Sequence, residues 1–316
     1  MTGAPGLRLL AVHAHPDDET ITMGGLLAQC ADRGVATAVI CCTDGKVATI
    51  FDPEYAANEA EIRPRLKEIR EAELRRAGEI LGLTELHFLE YGDSGMAGTD
   101  TNHAPGAFWQ VDMDEAVRRV VAHIRRFRPH VVVTYDGNGG YGHPDHIQAH
   151  RVTLLAVEAA YHALYPELGP SWRVSKLYYT AFPRSEARRV AEMARSAGMS
   201  APFGDADPDS LEFITPDEWV TTSVNCADQL GRKREALRAH RSQLTEDFAL
   251  LSVPEELLRE HFPNEYYQLV VSRVPTTLPE IDVFSGLPEA GLPEAGSPPA
   301  SPNAAATSGS APKTSA

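Results

Sequence analysis

The 316-residue chain has four cysteines, and no two of them stand in a C-x-x-C spacing. Cys41 and Cys42 sit side by side in VATAVICCT, an apolar run that reads as a buried strand. Buried thiols are expected there rather than a disulfide framework, which fits a reducing cytoplasm. No stretch approaches the ~20 apolar residues of a membrane helix. The opening residues, MTGAPGLRLLAVHAHPDD, hold too few apolar positions before charge for a signal peptide, so a cytoplasmic location is expected. Positive charge is also scarce, with 29 Lys and Arg against 44 Asp and Glu, a formal net charge of −15. Nucleic acid and anionic membranes need clustered cations, and neither is expected as a partner. A neutral or cationic small molecule is compatible with this charge; a homo-oligomer is left open. The 43% hydrophobic and 23% charged residues are ordinary for a globular protein with a sizeable core.

Strand and helix signals then alternate. Apolar runs at 7–14, 35–43, 85–91, 129–136 and 175–182 read as strands, several of them buried. Helical periodicity covers 20–33, 62–82, 113–127 and 145–164, with Gly34 and Gly82 placed as C-terminal caps. The alternation predicts an α/β, Rossmann-like fold: a mostly parallel sheet with helices on both faces and its active site at the C-terminal ends of the strands. Residues 1–182 form the expected catalytic core. Residues 183–287 are less regular, with one convincing helix at 226–244, and are read as an extension that wraps the sheet and walls the site. From 288 the composition turns to Pro, Ala and Ser, and a tandem GLPEA repeat runs over 286–295. That segment is read as a disordered tail.

Two short segments begin where a strand is expected to stop. In AHPDDE, His15, Asp17 and Asp18 share a turn stiffened by Pro16. In GNGGYGHPDH, His143, Asp145 and His146 follow Tyr141. Imidazole and carboxylate suit Zn²⁺ or Fe²⁺, and a catalytic zinc site keeps three protein ligands and one open position. His15 and Asp18 with His146 supply that set, leaving Asp17 free as a general base for water. The glycines of the second segment also satisfy G-x-G-x-x-G. However, the expected helix continues past residue 158, and the motif lies far from the first strand, so a dinucleotide site does not fit. The glycines are better read as letting the backbone pass close to metal and substrate.

AHPDDE after the first strand and GGYGHPDH after VVVTYD closely resemble the LmbE-like, or PIG-L, family of zinc-dependent N-acetylglucosamine deacetylases. With DSGMAGTD (93–100), the likeness is closest to its mycothiol branch, which holds a GlcNAc-inositol deacetylase and a mycothiol-conjugate amidase. The resemblance spans roughly residues 7–287 and implies roles for particular residues. His15, Asp18 and His146 would hold the metal, zinc or natively Fe²⁺, and Asp17 would be the base. A protonated His143 would face the oxyanion or act as acid, oriented by Asp145, while Tyr141 would polarise the acetyl oxygen. Arg70 and Asp93 would bind the sugar. The substrate implied is a small N-acetylated amino sugar.

Thr22 stands where the amidase branch tends to carry lysine, which leans toward a deacetylase. TDGKVATI (43–50) departs from the Gly-Glu element of the mycothiol enzymes, so a different GlcNAc-bearing substrate stays open. A conjugate amidase, or a non-catalytic metal or sugar binder on the same scaffold, are the alternatives. His13 is expected as a buried structural histidine. His240 and Gln243, in LRAHRSQL, fall where the family has a late helix near the site, with surface placement an equal reading.

Overall fold

The computed structural model describes residues 6–196 and 207–288. Seven strands form one sheet: β1 (Arg8–His13), β2 (Ala36–Thr43), β3 (Glu85–Tyr91), β4 (Val131–Thr134), β5 (Lys176–Ala181), β6 (Thr222–Asn225) and β7 (Asn264–Ser272). Their spatial order is 3-2-1-4-5-7-6. β1 to β5 are parallel, whereas β7 runs antiparallel to both β5 and β6. The main helices are α1 (Asp18–Asp32), α2 (Leu66–Leu81), α3 (Met113–Phe127), α4 (Pro144–Tyr161), α5 (Arg184–Ser196) and α6 (Leu230–Ala239).

Strand alternation sorts the core into two layers. Leu10, Val12, Ile40 and Val132 point to one face and pack on α3 and α4. Leu9, Ala11, Val39 and Val133 point to the other and pack on α1, α2 and α6. Being covered on both faces explains why these strands read as continuous apolar runs rather than alternating ones. β1 and β4 are neighbours, and the strand order reverses between them. In such sheets that crevice, beyond the carboxyl ends of the strands, is where ligands bind. The loops after β1 and β4 carry AHPDDE and GYGHPDH.

The extension does more than wrap the sheet, since β6 and β7 lengthen it. The strand β7 (NEYYQLVVS) stayed hidden because most of its side chains are only partly buried, which blurs the apolar pattern. Its Glu265 also repairs a defect in α1, which kinks at Met23 (φ −145°, ψ 18°). The amides of Gly25 and Leu26, freed by the kink, donate to the Glu265 carboxylate at 2.8 Å each. Lys233 Nζ balances that charge at 2.6 Å. The helix expected at 226–244 is shorter, ending at Ala239. Residues 289–316, expected as a disordered tail, lie outside the described residues. Among the described residues no helix is long and apolar enough to cross a membrane.

Arg125 of α3 closes the lower end of α4. Its buried guanidinium donates to the carbonyls of Ala159, Ala160, His162, Leu164, Tyr165 and Gly169. Arg125→Met keeps the aliphatic stem but strands those carbonyls. A loss of about 3 kcal/mol is expected, read as a lower urea midpoint at unchanged slope.

Candidate metal centre

β1 ends at His13, and the chain turns through His15, Pro16 and Asp17 into α1. The turn folds back on itself: the His15 amide donates to Asp18 Oδ2 at 2.8 Å. Across the switch point, the loop after β4 leads into α4, whose first turn holds Asp145 and His146. Gly139 has φ 63°, and a Cβ there would lie 2.7 Å from His146 Cβ and 2.7 Å from Ile147 N. Only glycine lets this loop pass so close to the helix bearing His146.

Three side-chain atoms converge between the loops. His15 Nδ1 lies 3.1 Å from His146 Nε2, and Asp18 Oδ2 lies 3.4 Å from the first and 3.5 Å from the second. Bonds of ~2.0–2.1 Å in a tetrahedral zinc site hold ligand atoms roughly 3.3 Å apart, so the triangle fits an ion. The opposite nitrogens are already engaged. His146 Nδ1 is 3.1 Å from the Gly139 carbonyl, and His15 Nε2 is 3.2 Å from Asp145 Oδ2. Each of these contacts requires the proton on the outer nitrogen, which leaves two ring lone pairs facing each other across 3.1 Å. With both rings neutral, those lone pairs repel unless a cation lies between them. Burial opposes charge on His15, but its contacts with Asp145, Asp18 and Asp93 raise it well above its usual range. His146 is pushed down to about 3, chiefly by burial.

Asp17 sits beside this triangle without belonging to it. It is buried and adopts φ 135°, a conformation rare outside glycine. Burial, with Asp18 adding to it, raises its carboxyl to about 6 against the pull of Arg70. A carboxylate in that range can take a proton near neutral pH.

The remaining expected residues all gather here, with differences in what they touch. Asp145 was expected to orient His143, yet its carboxylate faces His15; His143 Nδ1 receives only the Asp145 amide, at 3.2 Å. His143 was expected to be protonated, but burial and then the neighbouring His15 push it down to about 4. It is neutral, and with Nδ1 accepting, its proton is on Nε2. Arg70 was expected to bind sugar; it is 2% exposed, and donates to the carbonyls of Gly45 and Pro16 at 2.8 Å and to Asp17 Oδ2 at 3.1 Å. Asp93 is buried with Oδ1 3.6 Å from His15 Nε2; burial opposes its ionisation, but His15 holds it below the usual carboxylate range. Tyr141 is 39% exposed, its ring 5.0 Å from that of His146. Partial desolvation of its ring end, with the nearby Asp18 adding to it, raises its phenol.

His15, His143 and His146 can also be grouped as ligands, as can His15, Asp93, His143 and Asp145. The set with Asp18 is favoured because Asp93 and Asp145 lie on the far nitrogen of His15. His13 is buried as expected, its Nε2 3.3 Å from Met23 Sδ.

Tyr135 is a site residue that the sequence reading left unassigned. Its hydroxyl accepts from the Ala14 amide at 2.7 Å and donates to Asp18 Oδ2 at 2.6 Å. Its ring stacks on His146 at 4.2 Å. The signal was a tyrosine directly after a four-residue buried strand, at the edge where ligands gather. Tyr135→Phe keeps the stack and drops the hydroxyl. Metal affinity is expected to fall roughly 10- to 100-fold, measured by chelator competition.

Known proteins can now be set beside this site. The profile of the PIG-L family, described as GlcNAc-PI de-N-acetylase, matches residues 10–157. The 1D-myo-inositol 2-acetamido-2-deoxy-alpha-D-glucopyranoside deacetylase of Geodermatophilus obscurus is 45% identical over 291 residues, 90% of this chain and 99% of that protein. In structure, the N,N'-diacetylchitobiose deacetylase of Pyrococcus horikoshii aligns with a TM-score of 0.56 at 19% identity, over 84% of each chain. The 4-carboxy-2-hydroxymuconate hydratase GalB of Pseudomonas putida aligns at 0.59 and 20% identity, over 86% of this chain and 99% of that one. A hydratase and a deacetylase on one scaffold show that the fold alone does not choose the reaction. The high identity over nearly full length does decide membership: the chain belongs to the PIG-L family of GlcNAc-PI de-N-acetylases.

Proposed function

We propose that the chain is a zinc-dependent hydrolase that removes the acetyl group from a small N-acetylglucosamine conjugate of the GlcNAc-inositol type. The observation that carries the reading is the convergence of His15 Nδ1, His146 Nε2 and Asp18 Oδ2 within 3.1–3.5 Å of one another. Support for the substrate comes from the relatives, whose names specify a 2-acetamido sugar on inositol. Two histidines and one carboxylate suit zinc, and also Fe²⁺.

His15, Asp18 and His146 would hold the ion, which when bound acidifies water and polarises an amide carbonyl. Asp17 takes the proton of the attacking water; its raised carboxyl and its fixed contact with Arg70 suit it to that task. His143 offers an Nε2–H, and Tyr141 a phenol that stays protonated, to the oxygen that gains charge. Asp145 and Asp93 hold the His15 ring from its outer nitrogen. Protonation of the leaving nitrogen by Asp17 releases acetate and a free amino sugar. The four cysteines are free and buried, in keeping with a cytoplasmic location.

The test is acetate release from GlcNAc-inositol and a panel of other N-acetylated sugars by metal-stripped, zinc-reconstituted protein. Acetate and free amine in equal amounts support the proposal. A reconstituted protein that hydrolyses no member of the panel contradicts it.

A further inference from the structure

Asp17 holds a conformation that must be enforced by its surroundings, φ 135° and ψ −28°. On one side Arg70 clamps the Pro16 carbonyl and the Asp17 carboxylate. On the other, the Asp17 amide donates to Glu19 Oε2 at 3.3 Å. Glu19 is 1% exposed, so its position is set from inside the protein. Its second oxygen, Oε1, accepts the hydroxyl of the buried Thr20. A hydroxyl has one proton to give, so Thr20 Oγ1 can only accept in its 3.1 Å contact with His240 Nε2. That fixes the His240 tautomer with its proton on Nε2. Its Nδ1 has no partner among the described residues.

The result is a chain of three hydrogen bonds, from His240 to Thr20, from Thr20 to Glu19, and from the Asp17 amide to Glu19. It starts just past α6, in the extension, on a histidine with no exposed surface. Two residues further, Ser242 donates through its amide at 2.8 Å and its hydroxyl at 2.7 Å to Glu73. Glu73 lies one turn along α2 from Arg70, so the same short segment braces both supports of Asp17.

We propose that His240 is a positioning residue: through Thr20 and Glu19 it fixes the backbone of Asp17 so that the carboxylate is aimed at the attacking water. The proposal rests on the reading of Asp17 as general base. The hydrogen-bond chain that begins on His240 ends on the amide of Asp17, whose φ of 135° is rare outside glycine.

The test is a double-mutant cycle in the zinc-loaded full chain. His240→Leu removes the Nε2 donor at similar volume; kcat is expected to fall roughly 10- to 100-fold. KM and zinc per chain should not move. His240→Gln, whose Nε2 can still donate to Thr20, should recover most of the loss. In the Asp17→Asn background, His240→Leu should cost less than about threefold more. If His240→Leu does not fold, Thr20→Val cuts the same chain and is expected to behave alike. An equal loss in both backgrounds, or no loss, overturns the positioning role. Full turnover in Asp17→Asn alone would instead overturn the base assignment beneath it.

Discussion

Asp17→Asn is expected to lower turnover by roughly 100- to 10,000-fold while zinc remains bound at one ion per chain. Asparagine keeps the side-chain shape and tolerates unusual backbone angles better than most residues, so the turn after β1 should survive. Its amide oxygen can still accept from Arg70, which now donates to Asp17 Oδ2 at 3.1 Å. What is lost is a basic group raised to about 6 by burial. Steady-state kinetics with metal analysis on the same sample separates the two effects. Low turnover with full metal content supports the base assignment; joint loss of metal and activity would instead make Asp17 a ligand.

His146→Ala is expected to have an effect as large for a different reason. It removes one corner of the ligand triangle and leaves His15 Nδ1 and Asp18 Oδ2 alone at 3.4 Å. Two protein ligands do not make the closed three-ligand support of a catalytic zinc site. The loss of affinity should therefore exceed the roughly 100-fold that an outer hydrogen-bond partner costs. After dialysis against a chelator and return of one equivalent of zinc, the variant should retain neither metal nor acetate release, while the parent recovers both. The loop at Gly139 loses its hydrogen bond to the ring but keeps its close approach to the α4 backbone at Ile147 N and His146 C.

Much of this architecture could be read from the residues because hydrophobic pattern and local chemistry coincide there. The central parallel strands β1, β2 and β4 are apolar runs since both faces are covered, and the helices between them show apolar periodicity. The candidate ligands stood out because each lies in a short His/Asp string directly after such a strand. What stayed hidden depends on contacts distant in sequence. Nothing in HPDH says that Asp145 will reach past His143 to His15; that follows from the 130 residues of fold that place the two loops together. Arg70 likewise looks like any helix arginine until α2 packs with its guanidinium under Pro16 and Asp17. His240 was balanced between surface and site, since one short helix end gives no depth signal, and the structure buries it fully. β6 and β7 were missed because β6 is only four residues long and most β7 side chains are only partly buried, which blurs the alternation.

The account stands on where one divalent ion binds. Anomalous diffraction at the zinc absorption edge, from crystals of the zinc-loaded chain, locates it directly. The expected result is a single strong peak about 2.0–2.1 Å from each of His15 Nδ1, Asp18 Oδ2 and His146 Nε2, with the Asp17 carboxylate nearby but unbound. A peak on the far nitrogen of His15, among Asp93, His143 and Asp145, or no peak at this junction, would contradict it.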